Sequence, residues 1–261
     1  MSSSPGSGAG RSAKEIVLAA GGELFGALDA RVVDKWFSEG FVQHDPTVAD
    51  GRQGLRAMLG MLGDDFRYEV HRVLEDGDHV ALHVTYEGFG PGPMVAFDVF
   101  RVEDGRIAEH WDALQPLTGE SVSGRSETDG PTEVVDLDRT EANRALVTGF
   151  VEGVLMGGGR DVTEFIDAHR YHQHDPHFGD GLEGLRAGLV TFAGRGQRIA
   201  YRALHKTVAQ GNFVLTLADG AVGPAPSVFY DLFRVEDGRI VEHWDVIQPI
   251  PETTAHDHGM F

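Results

Sequence analysis

Residues able to move or hold protons recur in otherwise apolar stretches of the first half of the chain: His44, His83, Asp98, His110 and Asp112. A carboxylate in an apolar pocket has its charged form disfavoured, which lifts its pKa toward the range useful for a general base. A neighbouring imidazole can pass a proton on, or hold a developing enolate or alkoxide by hydrogen bonding. On this reading Asp112 is the base, His110 orients or relays, and His44 and His83 contact the substrate oxygen. A lone strand histidine is ordinarily a satisfied, partly buried imidazole, and Asp112 could simply accept a hydrogen bond from Trp111 or a backbone amide. Burying several such groups is costly unless they are paired or line a wet pocket, which favours a site. A metal is the competing use: His44, His83 and His110 with an Asp, or His172-x-His174-x-x-His177. The spacing is scattered and no His-Glu-x-x-His helix is present, so neither metal nor cofactor is expected.

These residues occur twice. Gln43-His44-Asp45-Pro46 returns as Gln173-His174-Asp175-Pro176, and Gly54-Leu55-Arg56-Ala57 as Gly184-Leu185-Arg186-Ala187, both at an offset of 130. Phe97–Pro116 matches Tyr230–Pro249 at offset 133, with fifteen of twenty positions identical. The second copy keeps His174, Asp231, His243 and Asp245, but Leu217 stands where the first has His83. The complete set favours the first copy as the acid–base site and leaves the second as a reshaped pocket or a structural partner. The expected organisation is a disordered leader over 1–12, a first domain over 13–118 and an acidic linker over 119–139. A second domain follows over 140–251, with a tail over 252–261. The linker is polar and nearly free of large apolar residues, so it is expected to lack regular structure.

Each copy reads as helices followed by strands. Ser12 with Glu15 forms a capping box ahead of a helical apolar pattern, Asp138 with Glu141 opens its counterpart, and Asp50 and Asp180 are placed to cap a third helix. Alternating runs follow at 68–74, 79–86, 95–102 and 107–114. The last two meet at Asp104-Gly105, a strong hairpin signal repeated at Asp237-Gly238. A plain two-residue turn pairs Val99 with His110 and Phe97 with Asp112. That register puts His110 and Asp112 on one face and Asp98 on the other, unless a bulge intervenes. Asp45 and Asp175, each before a proline, read as turn-formers, and Arg101 and Arg234 as partners in sheet-surface ion pairs. Helices first and an antiparallel sheet after make an α+β layer fold.

The chain has 261 residues, with 22 Lys+Arg against 41 Asp+Glu, a formal charge of −19. So acidic a surface repels phosphate backbones and anionic lipid heads, arguing against nucleic-acid or membrane partners. No apolar run is long enough to span a bilayer, no secretory signal pattern opens the chain, and there is no cysteine. A cytoplasmic protein acting on a small molecule is the class that remains.

The Gln-His-Asp-Pro segment resembles a known family, as do the Asp-x-Phe-Arg-x-x-Asp-Gly-x-Ile hairpin, the Glu-His-Trp-Asp-x-x-Gln-Pro strand and the Met-Phe ending. They look like the SnoaL-like proteins of the nuclear-transport-factor-2-like superfamily, which take their name from polyketide cyclases. The resemblance implies two cone-shaped domains, each with three helices packed in a curved, mainly antiparallel sheet around a deep apolar pocket. It further implies a covalent pseudo-dimer packed through the sheets, either monomeric or paired with a second chain. The reactions implied are cofactor-independent cyclisation, isomerisation, dehydration or epoxide opening on an apolar, oxygenated metabolite, with a place in secondary metabolism. A non-catalytic binding pseudo-dimer is the alternative.

Overall fold

The computed structural model describes residues 10–119 and 121–261. The expected leader, up to residue 9, falls outside them. The first half comprises α1 (Ala13–Ala27), α2 (Val33–Trp36), β1 (Phe37–Gln43), α3 (Gly51–Leu59), β2 (Arg67–Asp76), β3 (His79–Glu87), β4 (Met94–Glu103) and β5 (Arg106–Pro116). The second comprises α4 (Thr140–Phe150), β6 (His172–Gln173), α5 (Gly181–Gly194), β7 (Ile199–Gln210), β8 (Phe213–Val222), β9 (Ala225–Glu236) and β10 (Arg239–Pro249). Each half builds a five-stranded sheet, ordered β1-β5-β4-β3-β2 and β6-β10-β9-β8-β7. The edge strands β1 and β6 run parallel to β5 and β10; the other pairings are antiparallel. The parallel strand β1 is not foreshadowed by any alternation in the sequence.

Ser12 caps α1 as its spacing predicts: its hydroxyl accepts from the Glu15 amide at 3.3 Å, and the Glu15 carboxylate accepts from the Ser12 amide at 2.9 Å. Asp50 and Asp180 do something else. Each carboxylate accepts the backbone N–H of Gln43 or Gln173 at 2.9 Å, pinning the Gln-His-Asp-Pro loop rather than capping a helix. Asp138 likewise falls inside a short 3-10 turn, Leu137–Arg139, ahead of α4.

The hairpin turn has positive φ at both central residues, 49° at Asp104 and 74° at Gly105, the twist that a two-residue hairpin requires. The register then shifts by one residue: Val102 pairs with Ile107, but Arg101 pairs with Glu109, leaving Ala108 bulged. Asp98 therefore pairs with Asp112 and Phe100 with His110, instead of the Phe97–Asp112 and Val99–His110 pairings of a plain turn. The bulge brings Asp98 to the face that carries His110 and Asp112. A shift between Ile240 and Glu242 does the same in the second half, where Asp231 pairs with Asp245.

The inner face of each sheet wraps its helices. Val17, Leu24, Trp36, Phe41 and Leu55 pack on Leu82, Val84 and Ile107 in the first half. Phe150, Phe165 and Leu182 pack on Val214 and Phe233 in the second. The outer faces pack against each other in one core shared by Phe97, Val99 and Trp111 with Leu215, Leu217, Tyr230 and Trp244. The contacts are reciprocal, as an approximate two-fold demands. Leu114 N–H donates to the Gln248 side chain and Ile247 N–H to that of Gln115, both at 2.9 Å. Arg72 lies 4.2 Å from the Trp244 ring centre and Lys206 lies 4.1 Å from that of Trp111.

The segments after β5 and β10 also cross reciprocally. Val122 N–H donates to Pro176 C=O at 3.0 Å, and Ala255 N–H donates to Pro46 C=O at 2.8 Å. Arg125 pairs with Asp180 at 2.9 Å and His258 with Asp50 at 3.0 Å. Ser126 C=O meets His174 Nδ1 at 2.7 Å, and Gly259 C=O meets His44 Nδ1 at 3.0 Å. The first of these segments has little regular structure, yet it is held: Glu127 is buried and Arg72 donates to Pro131 C=O at 2.8 Å. Residues 122–126 thus stand for the first half where 255–259 stand for the second, so the tail-like element is not confined to the end of the chain.

Candidate functional site

On the inner face of the first sheet, His110 is fixed at both ring nitrogens. Nδ1 lies 2.9 Å from Gln43 Oε1 and Nε2 lies 3.3 Å from Asp98 Oδ1. The amide orientation of Gln43 is set by the backbone, because the same oxygen accepts from the amides of His44 and Asp45. Both ring nitrogens therefore meet side-chain oxygens. Asp98, fully buried, also accepts from Tyr86 OH at 2.7 Å and Tyr68 OH at 3.2 Å.

The second half repeats this frame. His243 Nδ1 lies 2.9 Å from Gln173 Oε1 and Nε2 lies 3.1 Å from Asp231 Oδ1. Tyr201 OH donates to Asp231 at 2.9 Å. Beside each histidine stands a buried carboxyl with one free oxygen: Asp112 Oδ1 and Asp245 Oδ1 have no hydrogen-bond partner among the described residues. Burial, then the nearby carboxylates of Asp45 and Asp98, pushes Asp112 well above the ordinary carboxylate range. Burial, then Asp175 and Asp231, does the same to Asp245. Asp175, buried beside Asp245, is likewise raised by its burial. Asp45 and Asp175 remain turn-formers as well, accepting from the amides of Thr47 at 2.7 Å and His177 at 2.6 Å.

His44 and His83 are not in this constellation. The His44 ring stacks on Trp111 at 5.0 Å and pairs with Glu109 at 2.9 Å, on the outer side of the sheet. His174 does the same with Trp244 at 4.4 Å and Glu242 at 2.9 Å. His83 stacks on Phe97 at 4.4 Å and meets Arg72 at 3.1 Å within the contact between the sheets. Strand alternation explains this: His83 lies one residue from Leu82, which faces inward, so it must face outward. Contact of His44 and His83 with substrate is therefore replaced by a role in joining the halves, and Leu217 in place of His83 alters that joint, not a pocket. A metal set of His44, His83 and His110 does not assemble, because these rings lie on opposite faces. The groups that do converge are Asp98, His110 and Asp112, and Asp231, His243 and Asp245, each offering ligand atoms within 4.8 Å of one another. Trp111 points away from Asp112, which removes the indole as its partner.

The two cavities differ far more than their frames. The first holds about 60 Å³, closed in by Phe25, Phe66, Tyr68, Tyr86 and Phe89. The second holds about 450 Å³, lined by Phe150, Leu182, Leu185, Ile199 and Tyr201, with Tyr171, Gln173, His243 and Asp245 facing in. Gly220 occupies the position of Tyr86. A side chain there would run into the Ala200 carbonyl and the Phe229 ring, so glycine is required. Gln43, Gln173, Tyr68, Tyr201 and Tyr86 were not singled out by sequence, although the glutamines sit in the repeated Gln-His-Asp-Pro motif.

Residues 22–110 match the profile of the SnoaL-like domain. This part of the chain is a SnoaL-like domain. No curated protein matches the chain. Solved structures similar to this chain include TsrD from Streptomyces laurentii, 20% identical over 40% of this chain and 88% of that one, with a TM-score of 0.35. A SnoaL-like polyketide cyclase from Agrobacterium tumefaciens is 16% identical over 40% and 92%, at a TM-score of 0.35. A nuclear-transport-factor-2-like protein of unknown function from Cytophaga hutchinsonii is 18% identical over 42% and 96%, at 0.37. Among the described residues, no helix is long and apolar enough to cross a membrane.

Proposed function

We propose that the chain is a cofactor-independent acid–base enzyme acting on an apolar, oxygenated small molecule, and that the second half is the working site. The observation that carries this reading is the free Asp245 oxygen in a cavity of about 450 Å³. A pocket of a few hundred cubic ångströms lined by apolar side chains, with a few convergent polar groups, suits a small ligand. The Asp245 carboxyl, whose protonated form its burial favours, donates to a carbonyl, hydroxyl or epoxide oxygen. Asp175, a second buried carboxyl whose protonated form burial favours, is the neighbour that returns the proton to Asp245. His243 has both nitrogens occupied, so it orients Asp231 and Gln173 and lends electrostatic support, without taking the substrate proton itself. In enolisation, the step shared by aldol cyclisation and ketone isomerisation, Asp245 donates to the carbonyl oxygen while a water molecule in the cavity takes the α-proton.

The test is exchange of the α-protons of an apolar ketone, 2-decalone, in deuterated buffer, followed by NMR. The wild-type chain should accelerate exchange over buffer, and Asp245→Asn should reduce the enzymatic rate about 100-fold, the usual scale for losing an acid–base group. Asp112→Asn should leave it within about twofold, since the first cavity is too small to admit a decalin ring. Exchange no faster than buffer, or equal losses from the two variants, would contradict the proposal.

A further inference from the structure

The rim of the larger cavity carries charge that its counterpart lacks. Arg160 and Arg186 both line the second cavity, whereas no cationic side chain lines the first among the described residues. Arg160 is already neutralised, paired with Glu164 at 2.5 Å and lying 4.2 Å from the Phe165 ring centre. Arg186 is exposed on α5 and makes no ion pair among the described residues. Its counterpart at the 130-residue offset, Arg56, is held by Asp34 at 2.6 Å. Arg56 is thus held in a close ion pair, whereas Arg186, at the open cavity, has no carboxylate within 4 Å among the described residues and acts on Asp161 only through space, in a chain of net charge −19.

We infer that the second cavity takes a ligand with an anionic end, a carboxylate held at the rim by Arg186, with the apolar body inside and the reacting oxygen toward Asp245. This rests on the proposed function and adds the substrate class to it. Guanidinium presents a planar fork that fits a carboxylate with two parallel N–H···O contacts. A single cation calls for a singly charged end group, and a helix-borne arginine at the mouth can meet it without burying the charge.

Two probes of equal length and shape separate the contributions: decanoate and its neutral counterpart decanamide, titrated calorimetrically into the full chain at low ionic strength. Decanoate should bind about fivefold more tightly than decanamide, the scale of an exposed ion pair. Arg186→Gln should remove that preference and leave decanamide affinity within about twofold, and Arg56→Gln should leave the preference intact. If decanamide binds but decanoate is no tighter, or if Arg186→Gln keeps the preference, the anionic end group is overturned while the apolar pocket stands. If neither probe binds the wild-type chain, the pocket reading fails and this inference falls with it.

Discussion

The two halves carry almost the same polar frame around very different volumes. In both, a glutamine and an aspartate clamp a histidine, and a second aspartate leaves one buried oxygen free. The first half fills the space in front of that oxygen with Tyr86 and a ring of phenylalanines, leaving about 60 Å³; the second leaves about 450 Å³. Retention of polar groups therefore does not identify the open site. In the first half the frame stands in a filled core, where a buried network of paired polar groups still fixes the positions of the strands that carry it.

The comparison breaks most completely at the shared core. Leu217 is fully buried between the sheets, so Leu217→Asp puts an unpaired charge there. A loss on the order of 4 kcal/mol or more is expected, read as a collapse of the urea midpoint for both halves together. Loss of one half with the other intact would mean that the joint contributes little.

Tyr86→Ala sharpens the comparison by removing one of the rings that close the first cavity. Truncating a buried aromatic should cost about 3 kcal/mol and create a second binding site for 2-decalone, raising the calorimetric stoichiometry from one to two. A stoichiometry still at one would show that more than Tyr86 closes the first cavity.

A smaller effect distinguishes a protonated carboxyl from an ionised one. Asp112 is raised above its unfolded value chiefly by burial. Its contribution to stability is then fully present below the ordinary carboxylate range and is lost as pH rises through the raised folded value. Asparagine cannot ionise, so the Tm of Asp112→Asn relative to wild type should climb steadily with pH. A variant Tm that falls relative to wild type as pH rises would mean that Asp112 is ionised in the fold.

Much of this architecture was legible in the sequence, and the failures have physical causes. The repeat, the hairpin and the Ser12 cap follow from local patterns that tertiary packing did not override. Asp98 changed face because a one-residue bulge at Ala108 shifts every pairing beyond it, and nothing in Ile107-Ala108-Glu109 marks a bulge. His44 and His83 were read as substrate contacts because histidines among apolar residues look alike whether they face a pocket or a second sheet. Leu82 beside His83 held the signal, since two adjacent strand residues cannot both face inward. The closing of the first cavity by Phe25, Phe66, Tyr86 and Phe89 follows no local pattern, because these rings come from separate elements and meet only in the fold.

The central claim is that only the second half has room to work beside its free carboxyl oxygen. The direct measurement is a crystal structure of the chain soaked with 2-decalone. Density for one decalone beside Asp245, with none beside Asp112, is the predicted result. Density beside Asp112, alone or together with the second site, would contradict it.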